Sequence, residues 1–373
     1  MLTTVISGTG LYTPPESISN DELVASFNEY VRRYNERHAA EIAAGSLQPL
    51  QPSSTEFIVK ASGIKSRYVI NKSGILDPEI MCPQIRTRGN DEPSVMCEMG
   101  MVASREALER AGRSAADVDA VLVACSNMQR PYPAMAVELQ HYLGVKGFAY
   151  DINVACASAA FGVQAAVEAI SRGDARAVLV VSPEICSGHL NFRDRDSHFI
   201  FGDACTAVLV ERADRARSAD RFEILGTKLM TQFSNNIRNN RGFLNRAEVP
   251  PRDERDTLFV QEGRKVFKEV VPAVAQLLTE HLQALGIEPG TVKRFWLHQA
   301  NLGMNQLISK KVLGREPDAL AAPVILDEYA NTSSAGSVIA FHKYHADLKP
   351  GDIGVLCAFG AGYSVGSVVM RRL

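Results

Sequence analysis

Two stretches of the chain share one plan: EALERAGRSAADVDAVLVACSN at residues 106–127 and EHLQALGIEPGTVKRFWLHQAN at residues 280–301. They align without a gap at a constant offset of 174 positions and are identical at five of 22 positions. Each stretch predicts a helix that ends at a glycine, a short loop, and an apolar strand that ends in asparagine. A gap-free match across a helix–loop–strand unit favours duplication, so we expect two similar halves.

Further apolar runs fit the same plan. Residues 175–182 and 352–359 predict one strand in each half, and residues 204–210 and 365–370 predict the last strand of each half. Strands that alternate with helices predict mostly parallel sheets covered on both faces. The Ala-rich run 157–170 is apolar almost all round, which predicts a helix buried between two sheets. We therefore predict an α/β fold with five layers, α/β/α/β/α.

The predicted halves are residues 1–212 and residues 220–373. Two stretches near residues 28–54 and 71–93 look like insertions into the first half. The former begins as a charged amphipathic helix and ends in Gln, Pro and Ser, and the latter contains Pro, Gly and charged residues without a clear period. Loops of this size either cap sites and interfaces or decorate the surface.

The composition is that of an ordinary soluble globular protein, with 46% hydrophobic and 22% charged residues among 373. A net charge of −2 gives no bulk electrostatic basis for binding nucleic acid or an anionic membrane. No apolar run approaches the roughly 18 residues that span a bilayer. The seven scattered cysteines contain no Cys-x-x-Cys pair, which argues against a disulfide framework or a metal site and favours the cytoplasm.

Cys156 is the candidate nucleophile. A β-type run, residues 148–155, leads into it, and small helix-forming residues, 157–160, lead out of it. We therefore expect the thiol in the first turn of a helix, at a sharp strand-to-helix junction. Unpaired N–H groups and the helix dipole favour the thiolate there. The N–H of Cys156 also offers half of an oxyanion hole to a bound acyl group.

Three further runs could complete an acyl-transfer site. His298 follows the strand at 294–297, and ligands collect at the carboxyl ends of strands in parallel α/β sheets. Asn331 opens a run of small or polar residues, 331–336, that would let a ligand approach closely. The Phe-Gly-Ala-Gly turn at 359–362 exposes backbone N–H groups. The working hypothesis is a Cys-His-Asn acyl-transfer enzyme.

Taken together and in this order, these runs closely resemble those of the β-ketoacyl-acyl-carrier-protein synthase III family of the thiolase superfamily. The resemblance covers nearly the whole chain, and only the two insertions fall outside it. The runs that carry it are Val5–Pro14, Ser62–Arg67, Asp151–Cys156, Phe201–Asp203, His298–Asn301, Asn331–Ala335 and Phe359–Gly362.

The resemblance implies a thiolase-like fold and an acyltransferase of class EC 2.3.1. Cys156 would accept an acyl group from acyl-coenzyme A or acyl-acyl-carrier protein, with the N–H groups of Cys156 and Ala361 holding the oxyanion. His298 and Asn331 would bind malonyl-acyl carrier protein and stabilise the enolate formed on decarboxylation. The product would be a β-ketoacyl thioester of fatty-acid biosynthesis, made with ping-pong kinetics. The family works as a homodimer and needs no cofactor.

The resemblance also marks residues that would bind substrate. Tyr132 matches a position that lines the acyl pocket of the partner subunit. Phe57 stands where familiar members have a Trp that stacks on the adenine of coenzyme A. Asn301 and Phe359 belong to the matching motifs, and we count them as substrate-binding residues.

Besides Phe57, three positions depart from the family pattern. Ala361 replaces the middle glycine of three, and a backbone donor survives that change. Ala61 replaces an arginine of the coenzyme site, and Gly303 replaces an arginine tied to docking of the carrier protein. Lys310 and Lys311, on the following helix, could still meet an acidic carrier protein.

Other activities use the same residues. The alternative is a non-decarboxylating Claisen condensation of acyl thioesters, or an acyl transfer in secondary metabolism. A degradative thiolase would need a second cysteine as a base at the position of Ala358. Cys357 is one residue away, and neighbouring strand residues face opposite sides, so we expect it to face away. An inactive carrier-binding protein is not expected, because all three catalytic positions are occupied.

Overall fold

The computed structural model of the protein describes residues 2–373. The strands of this part of the chain are β1 (Thr4–Tyr12), β2 (Glu16–Ser19), β3 (Ser66–Val69), β4 (Ala120–Ala124), β5 (Phe148–Ile152), β6 (Ala177–Ile185), β7 (Asp203–Arg212), β8 (Phe222–Thr231), β9 (Ile237–Arg238), β10 (Val260–Gln261), β11 (Val292–Leu297), β12 (Ile353–Gly360) and β13 (Ser364–Arg372). The α-helices are α1 (Asn20–Arg37), α2 (Ala39–Ala43), α3 (Thr55–Ser62), α4 (Lys72–Leu76), α5 (Val95–Arg110), α6 (Met135–Leu143), α7 (Ser158–Arg172), α8 (Gly263–Ala284), α9 (Leu302–Leu313), α10 (Leu326–Tyr329) and α11 (Ala335–Lys343).

One sheet of nine strands contains both predicted halves. Its order is β11-β12-β13-β8-β1-β7-β6-β4-β5. β1 and β8 meet at the centre, where Val5 and Ile6 pair antiparallel with Glu223 and Phe222. From this centre outward, β1-β7-β6-β4 in the first half is matched by β8-β13-β12-β11 in the second. Among the nine strands of this sheet, β5 alone has no counterpart, so the two halves repeat one strand plan, as the repeated stretches predict.

The sheet is mixed, and the prediction of mostly parallel sheets was wrong. The pairs β4–β5, β4–β6 and β11–β12 are parallel, whereas β1–β7, β6–β7, β8–β13 and β12–β13 are antiparallel. The last strand of each half returns without a crossover helix; only residues 361–363 join β12 to β13. A connection this short allows only antiparallel pairing. Strand β8 is not predicted from the sequence, because its residues are half-exposed and show little alternation.

The two repeated stretches end their helices in the same way. Gly112 and Gly286 have φ angles of 63° and 67°. The N–H of Arg113 donates to the carbonyl of Leu108 at 2.8 Å, and the N–H of Ile287 donates to the carbonyl of Leu282 at 2.9 Å. This is the hydrogen bond of the Schellman motif, which needs a left-handed residue and therefore favours glycine.

Three apolar clusters lie between the layers of the fold. The central cluster buries α7 and α11 between the halves of the sheet, through Ala159, Ala160, Val163, Val338 and Ile339. α5 and α6 cover the outer face of the first half, and α8 and α9 cover the outer face of the second. The resulting order of layers is α5 with α6, the first half of the sheet, α7 with α11, the second half of the sheet, and α8 with α9. This is the predicted five-layered α/β/α/β/α fold.

A fourth apolar cluster contains residues of both inserted stretches. Val31 of α1, Ile75 of α4 and Met81 are buried in it. Ala330, directly before the loop that begins at residue 331, and Phe201, which forms a β-bridge with Asn331, belong to the same cluster. The inserted stretches therefore pack against the elements that carry part of the predicted site.

The segment between β7 and β8 joins the two halves. β7 ends at Arg212 and β8 begins at Phe222. We propose that the boundary between halves lies here, in line with the expected ranges 1–212 and 220–373. Among residues 2–373, every helix is too short or too polar to cross a membrane.

Gly354→Ala tests the packing of the second half. A Cβ at Gly354, on β12, would lie 2.2 Å from the nearest ring atom of Trp296. That indole is fully buried, and its Nε1–H donates to the carbonyl of Tyr344 at 2.9 Å. Overpacking of this kind costs about 1–3 kcal/mol, so we expect a lower melting temperature. Gly290→Ala is the control, because nothing lies within 4 Å of a Cβ there; equal melting temperatures would contradict this packing.

Candidate active site

Cys156 lies on a sharp turn between β5 and α7. β5 ends at Ile152, and Ala155 has a φ angle of 47°, a left-handed conformation that residues other than glycine rarely adopt. The hydroxyl of Ser158 holds this turn: it accepts from the N–H of Val154 at 2.8 Å and donates to the carbonyl of Ala155 at 2.7 Å. α7 begins at Ser158. The thiol therefore precedes the helix by two residues, where we had expected it in the first turn.

Hydrogen-bond donors from both halves of the fold reach the sulfur. The hydroxyl of Ser333 donates to Sγ of Cys156 at 3.3 Å. The backbone N–H groups of Cys156 and Ala361 lower the pKa of the same thiol. Gly360 makes this approach possible, because a Cβ there would lie 2.6 Å from the Cβ of Cys156. The turn at 359–362 thus brings a backbone donor next to the thiol.

Burial raises the pKa of the Cys156 thiol to about 12. The hydrogen bond from Ser333 acts in the opposite direction, and the charge of the Glu184 carboxylate adds to the rise. The thiol is therefore protonated at neutral pH in the free enzyme. The backbone N–H groups of Cys156 and Ala361 lower the pKa of the thiol, the direction expected of them, but burial outweighs them.

His298 directly follows β11 and is buried. The ring of Phe359 packs edge-on against the imidazole, with 5.1 Å between ring centroids. Burial lowers the pKa of His298 to about 4, and the backbone of Ser333 opposes this shift. Nδ1 has no partner within residues 2–373. The imidazole is thus neutral at pH 7, so it can donate one hydrogen bond to a carbonyl oxygen but cannot act as a cation.

Asn331 opens the loop between α10 and α11. Its N–H donates to the carbonyl of Ile200 at 3.0 Å, and its carbonyl accepts from the N–H of Gly202 at 3.1 Å. Its side-chain Oδ1 accepts from the N–H of Ser333 at 2.8 Å. These contacts fix the backbone and the amide plane, and they leave Nδ2 to donate to a ligand.

Two polar residues of the site are missing from the prediction. Ser333 lies inside the predicted run 331–336. It has a left-handed φ angle of 49°, and its hydroxyl faces the thiol. Glu184 follows a run of apolar residues at the end of β6 and is buried. A single carboxylate at the carboxyl end of an apolar strand is the signal that could have identified it.

Phe359 is the predicted substrate residue that lies beside His298. Asn301 instead caps α9, where its Oδ1 accepts from the N–H of Met304 at 3.3 Å. Its Nδ2 donates to the carbonyl of Ala61 at 2.7 Å, which ties α9 to α3. Phe57 lies on α3, with the guanidinium of Arg195 4.2 Å from its ring centroid.

The remaining predicted residues lie on the surface. Tyr132, in the loop between β4 and α6, is 82% exposed and so is not packed around the Cys156 of its own chain. Lys310 and Lys311 are exposed in the last turn of α9, and Lys310 pairs with Glu316. The roles of these three residues stay predictions.

Cys357 faces away from the site, as expected. Its side chain belongs to the outer cluster under α8 and α9, whereas Ala358 belongs to the central cluster. Neighbouring residues of β12 therefore point to opposite faces. Cys357 is in no position to act as the second cysteine of a degradative thiolase.

Comparisons with known proteins agree with this geometry. Residues 150–232 match the family model of 3-oxoacyl-[acyl-carrier-protein] synthase III, and residues 282–372 match the model of its C-terminal part. A β-ketodecanoyl-[acyl-carrier-protein] synthase from Pseudomonas aeruginosa is 66% identical over 347 residues, which cover 93% of this chain and 99% of that protein. The chain belongs to the 3-oxoacyl-[acyl-carrier-protein] synthase III family.

More distant members of this synthase III family match at full length. A β-ketoacyl-[acyl-carrier-protein] synthase III from Bartonella henselae is 28% identical over the whole of both chains. The crystal structure of the synthase III from Aquifex aeolicus matches with a TM-score of 0.76 and 25% identity, and 99% of each chain is covered. The predicted family, thiolase-like fold and acyltransferase class are confirmed: the chain is a condensing enzyme of fatty-acid synthesis.

Alkylation of Cys156 should depend steeply on pH. The thiolate is the reactive form, and its fraction rises about tenfold per pH unit below the pKa. With a pKa of about 12, the rate of reaction with iodoacetamide should keep rising from pH 7 to pH 10. Peptide mass spectrometry of the peptide that contains Cys156 measures this rate. A plateau below pH 8 would contradict the raised pKa.

Ser333→Ala should slow the alkylation of Cys156 at every pH in this range. The substitution removes the hydroxyl that donates to Sγ and so raises the pKa of the thiol further. Ser337→Ala is the matched control, because the hydroxyl of Ser337 is buried on α11 without a partner within residues 2–373. Equal rates for the two variants would show that the Ser333 hydroxyl does not act on the sulfur.

Proposed function

We propose that this enzyme loads an acyl group on Cys156 and joins it to malonyl-acyl carrier protein with loss of carbon dioxide. The observation that carries this proposal is that the half-buried Cys156 of the first half meets the Ser333 hydroxyl of the second half, which donates to Sγ at 3.3 Å. The carboxamide of Asn331 belongs to the loop that carries Ser333, and the backbone of Ser333 acts on the neutral imidazole of His298. Such a site can hold two carbonyl groups and exclude water.

In the first step, Sγ of Cys156 attacks the carbonyl carbon of an acyl thioester. The bond between that carbon and the carrier sulfur breaks, and the carrier leaves as a thiol with the proton that Cys156 loses. The N–H groups of Cys156 and Ala361 would hold the oxyanion that forms on the way. The Ser333 hydroxyl would stabilise the charge that develops on the attacking sulfur.

In the second step, His298 and Asn331 would hold the thioester carbonyl of the malonyl group. The bond to the malonyl carboxylate breaks, carbon dioxide leaves, and the electron pair passes into an enolate that both donors stabilise. The enolate carbon attacks the acyl group on Cys156 and expels the sulfur as a thiolate, which takes a proton from solvent to restore the thiol. A neutral imidazole suits this role, because it donates to the oxygen without holding a permanent charge in a buried site.

We propose a medium-chain acyl group as the first substrate. The Pseudomonas aeruginosa relative, at 66% identity, is named for a β-ketodecanoyl product. Malonate contributes two carbons after decarboxylation, so the matching acyl group is octanoyl. The donor would be acyl-coenzyme A or acyl-acyl-carrier protein. The Phe57 ring and the Arg195 guanidinium above it offer a stacking surface and a positive charge to a nucleotide carrier.

Lys310 and Lys311 would meet the carrier protein. Both are exposed at the end of α9, whose first turn is tied to α3 through Asn301. Lys310 already pairs with Glu316, whereas Lys311 forms no ion pair within residues 2–373. Lys311 is therefore the freer cation for an acidic partner.

The exposed edge of β5 supports a homodimer. β5 is the last strand of the sheet, and its outer edge is unpaired in the described part of the chain. Phe148 and Tyr150 are 38% and 40% exposed on it, with nearly parallel rings 6.3 Å apart. An unpaired strand with exposed aromatic rings favours association. A second copy would continue the sheet here, and Tyr132 would then reach the partner subunit.

All seven cysteines are free thiols in the structure. A nucleophilic thiol beside several others is preserved in a reducing compartment. We therefore propose that the enzyme works in the cytoplasm.

Product analysis tests the proposed reaction. With malonyl-acyl carrier protein and butanoyl-, octanoyl- or hexadecanoyl-coenzyme A, the octanoyl donor should give carbon dioxide and a β-ketodecanoyl product fastest. Intact mass spectrometry should show an acyl group that Cys156→Ala abolishes. Acylation of Cys156 without carbon dioxide or a β-keto product from any donor would favour the non-decarboxylating alternative.

Tyr150→Asp tests the proposed dimer. A charge on the β5 edge should shift the enzyme from dimer to monomer, because a buried carboxylate without a partner opposes association. Sedimentation at micromolar concentration measures the change. Leu320→Asp, at an exposed apolar position away from β5, is the control. If both variants keep the mass of the wild type, this interface is wrong.

A further inference from the structure

Glu184 joins two separate parts of the chain behind the catalytic thiol. It lies at the end of β6 and is 1% exposed. On one side, Ser126 donates its N–H to Oε1 at 2.9 Å and its hydroxyl to Oε2 at 2.6 Å. On the other side, Ser334 donates its N–H and its hydroxyl to Oε1, at 3.1 Å and 2.5 Å. The carboxylate thus links the end of β4 to the loop before α11.

Burial of the Glu184 carboxylate lowers the stability of the folded protein. No lysine, arginine or histidine pairs with it within residues 2–373, and burial raises its pKa against the pull of the Ser126 and Ser334 hydrogen bonds. The titratable groups around it are thiols, whose pKa it raises: Cys125, Cys156, Cys186 and Cys205. A buried anion without a cation usually lowers stability. Glu184 also disfavours the thiolate, so neither stability nor thiol activation accounts for it.

The loop that Glu184 holds carries two groups of the active site. Ser334 follows Ser333, whose hydroxyl donates to Sγ of Cys156 and whose N–H donates to Oδ1 of Asn331. Ser333 has a left-handed φ angle of 49°, which a surrounding structure must maintain. The loop belongs to the second half of the fold, whereas Glu184 and Cys156 belong to the first. The Ser334–Glu184 hydrogen bonds therefore connect the halves at the point where their side chains must meet.

We propose that Glu184 is a positioning residue that anchors the loop 331–334, through Ser334, so that Asn331 and Ser333 face Cys156. It acts on the loop and does not touch the substrate. Its effect on condensation rests on the function proposed above, whereas its effect on the free thiol does not.

Two matched serine variants test this anchor. Ser334→Ala removes the hydroxyl on the loop side of Glu184, and Ser126→Ala removes the hydroxyl on the opposite side. Because misplacement of a catalytic group by a fraction of an ångström costs on the order of tenfold in rate, Ser334→Ala should lower kcat for condensation about tenfold. It should leave the KM for the acyl donor within about twofold. Ser126→Ala should leave both within about twofold.

Glu184→Gln and Glu184→Ala separate the anchor from the charge. Gln keeps an oxygen at the Oε1 position, where three of the five donors converge, and should retain most of the condensation rate. Ala removes every acceptor and should lose on the order of a hundredfold in kcat. Gln also removes the negative charge, so Cys156 should be alkylated faster at pH 8 than in the wild type. A merely structural role would not give faster alkylation together with retained condensation.

The outcomes distinguish this inference from the proposed function. If Ser334→Ala condenses as fast as Ser126→Ala, Glu184 does not position the loop. If the wild type itself forms no β-keto product, the proposed function fails, and alkylation of Cys156 then decides the anchor alone. In that case Ser334→Ala should be alkylated more slowly than Ser126→Ala, because the Ser333 hydroxyl leaves the sulfur; equal rates would overturn the anchor. If Glu184→Ala does not fold, the two serine variants carry the test.

Discussion

The structure depends on one meeting point, the sulfur of Cys156, where donors from two halves of the chain converge. The first half supplies the thiol and its own N–H through the strained turn after β5. The second half supplies the Ser333 hydroxyl at 3.3 Å and the N–H of Ala361. The turn after β5, the loop before α11 and the turn after β12 must therefore lie together. The packing of both halves of the sheet around α7 and α11 accounts for this.

Burial of each titratable group sets the charge state of the site. Burial keeps the thiol protonated and the imidazole of His298 neutral, and it raises the pKa of Glu184. In such surroundings each fixed donor acts more strongly than it would in water, because little solvent screens it. A site built this way stabilises charge that appears during reaction and disfavours charge that is present beforehand. Neutral donors, backbone N–H, hydroxyl and amide, are therefore the groups that suit it.

Much of the fold could be predicted because it follows local rules. The glycine that ends each repeated helix, the apolar strand before His298 and the apolar helix after Cys156 were all visible in the sequence. Strand β8 and the antiparallel return of β7 and β13 were not, because pairing direction depends on which distant strand lies alongside. The charge state of Cys156 is hidden from the sequence for a related reason: the residues next to it indicate backbone donors that lower the pKa, whereas the burial that outweighs them depends on residues far along the chain, such as Gly360.

The sequence alone determined the two-half plan, the family, and Cys156, His298 and Asn331 as candidate site residues. Periodicity and motif order are local properties of the chain. The tertiary structure decided which groups touch the sulfur and in which charge state. Ser333 contacts Cys156 across 177 positions of sequence, and Glu184 contacts Ser334 across 150. Such contacts and the desolvation they bring depend on packing between distant elements, so no local pattern encodes them.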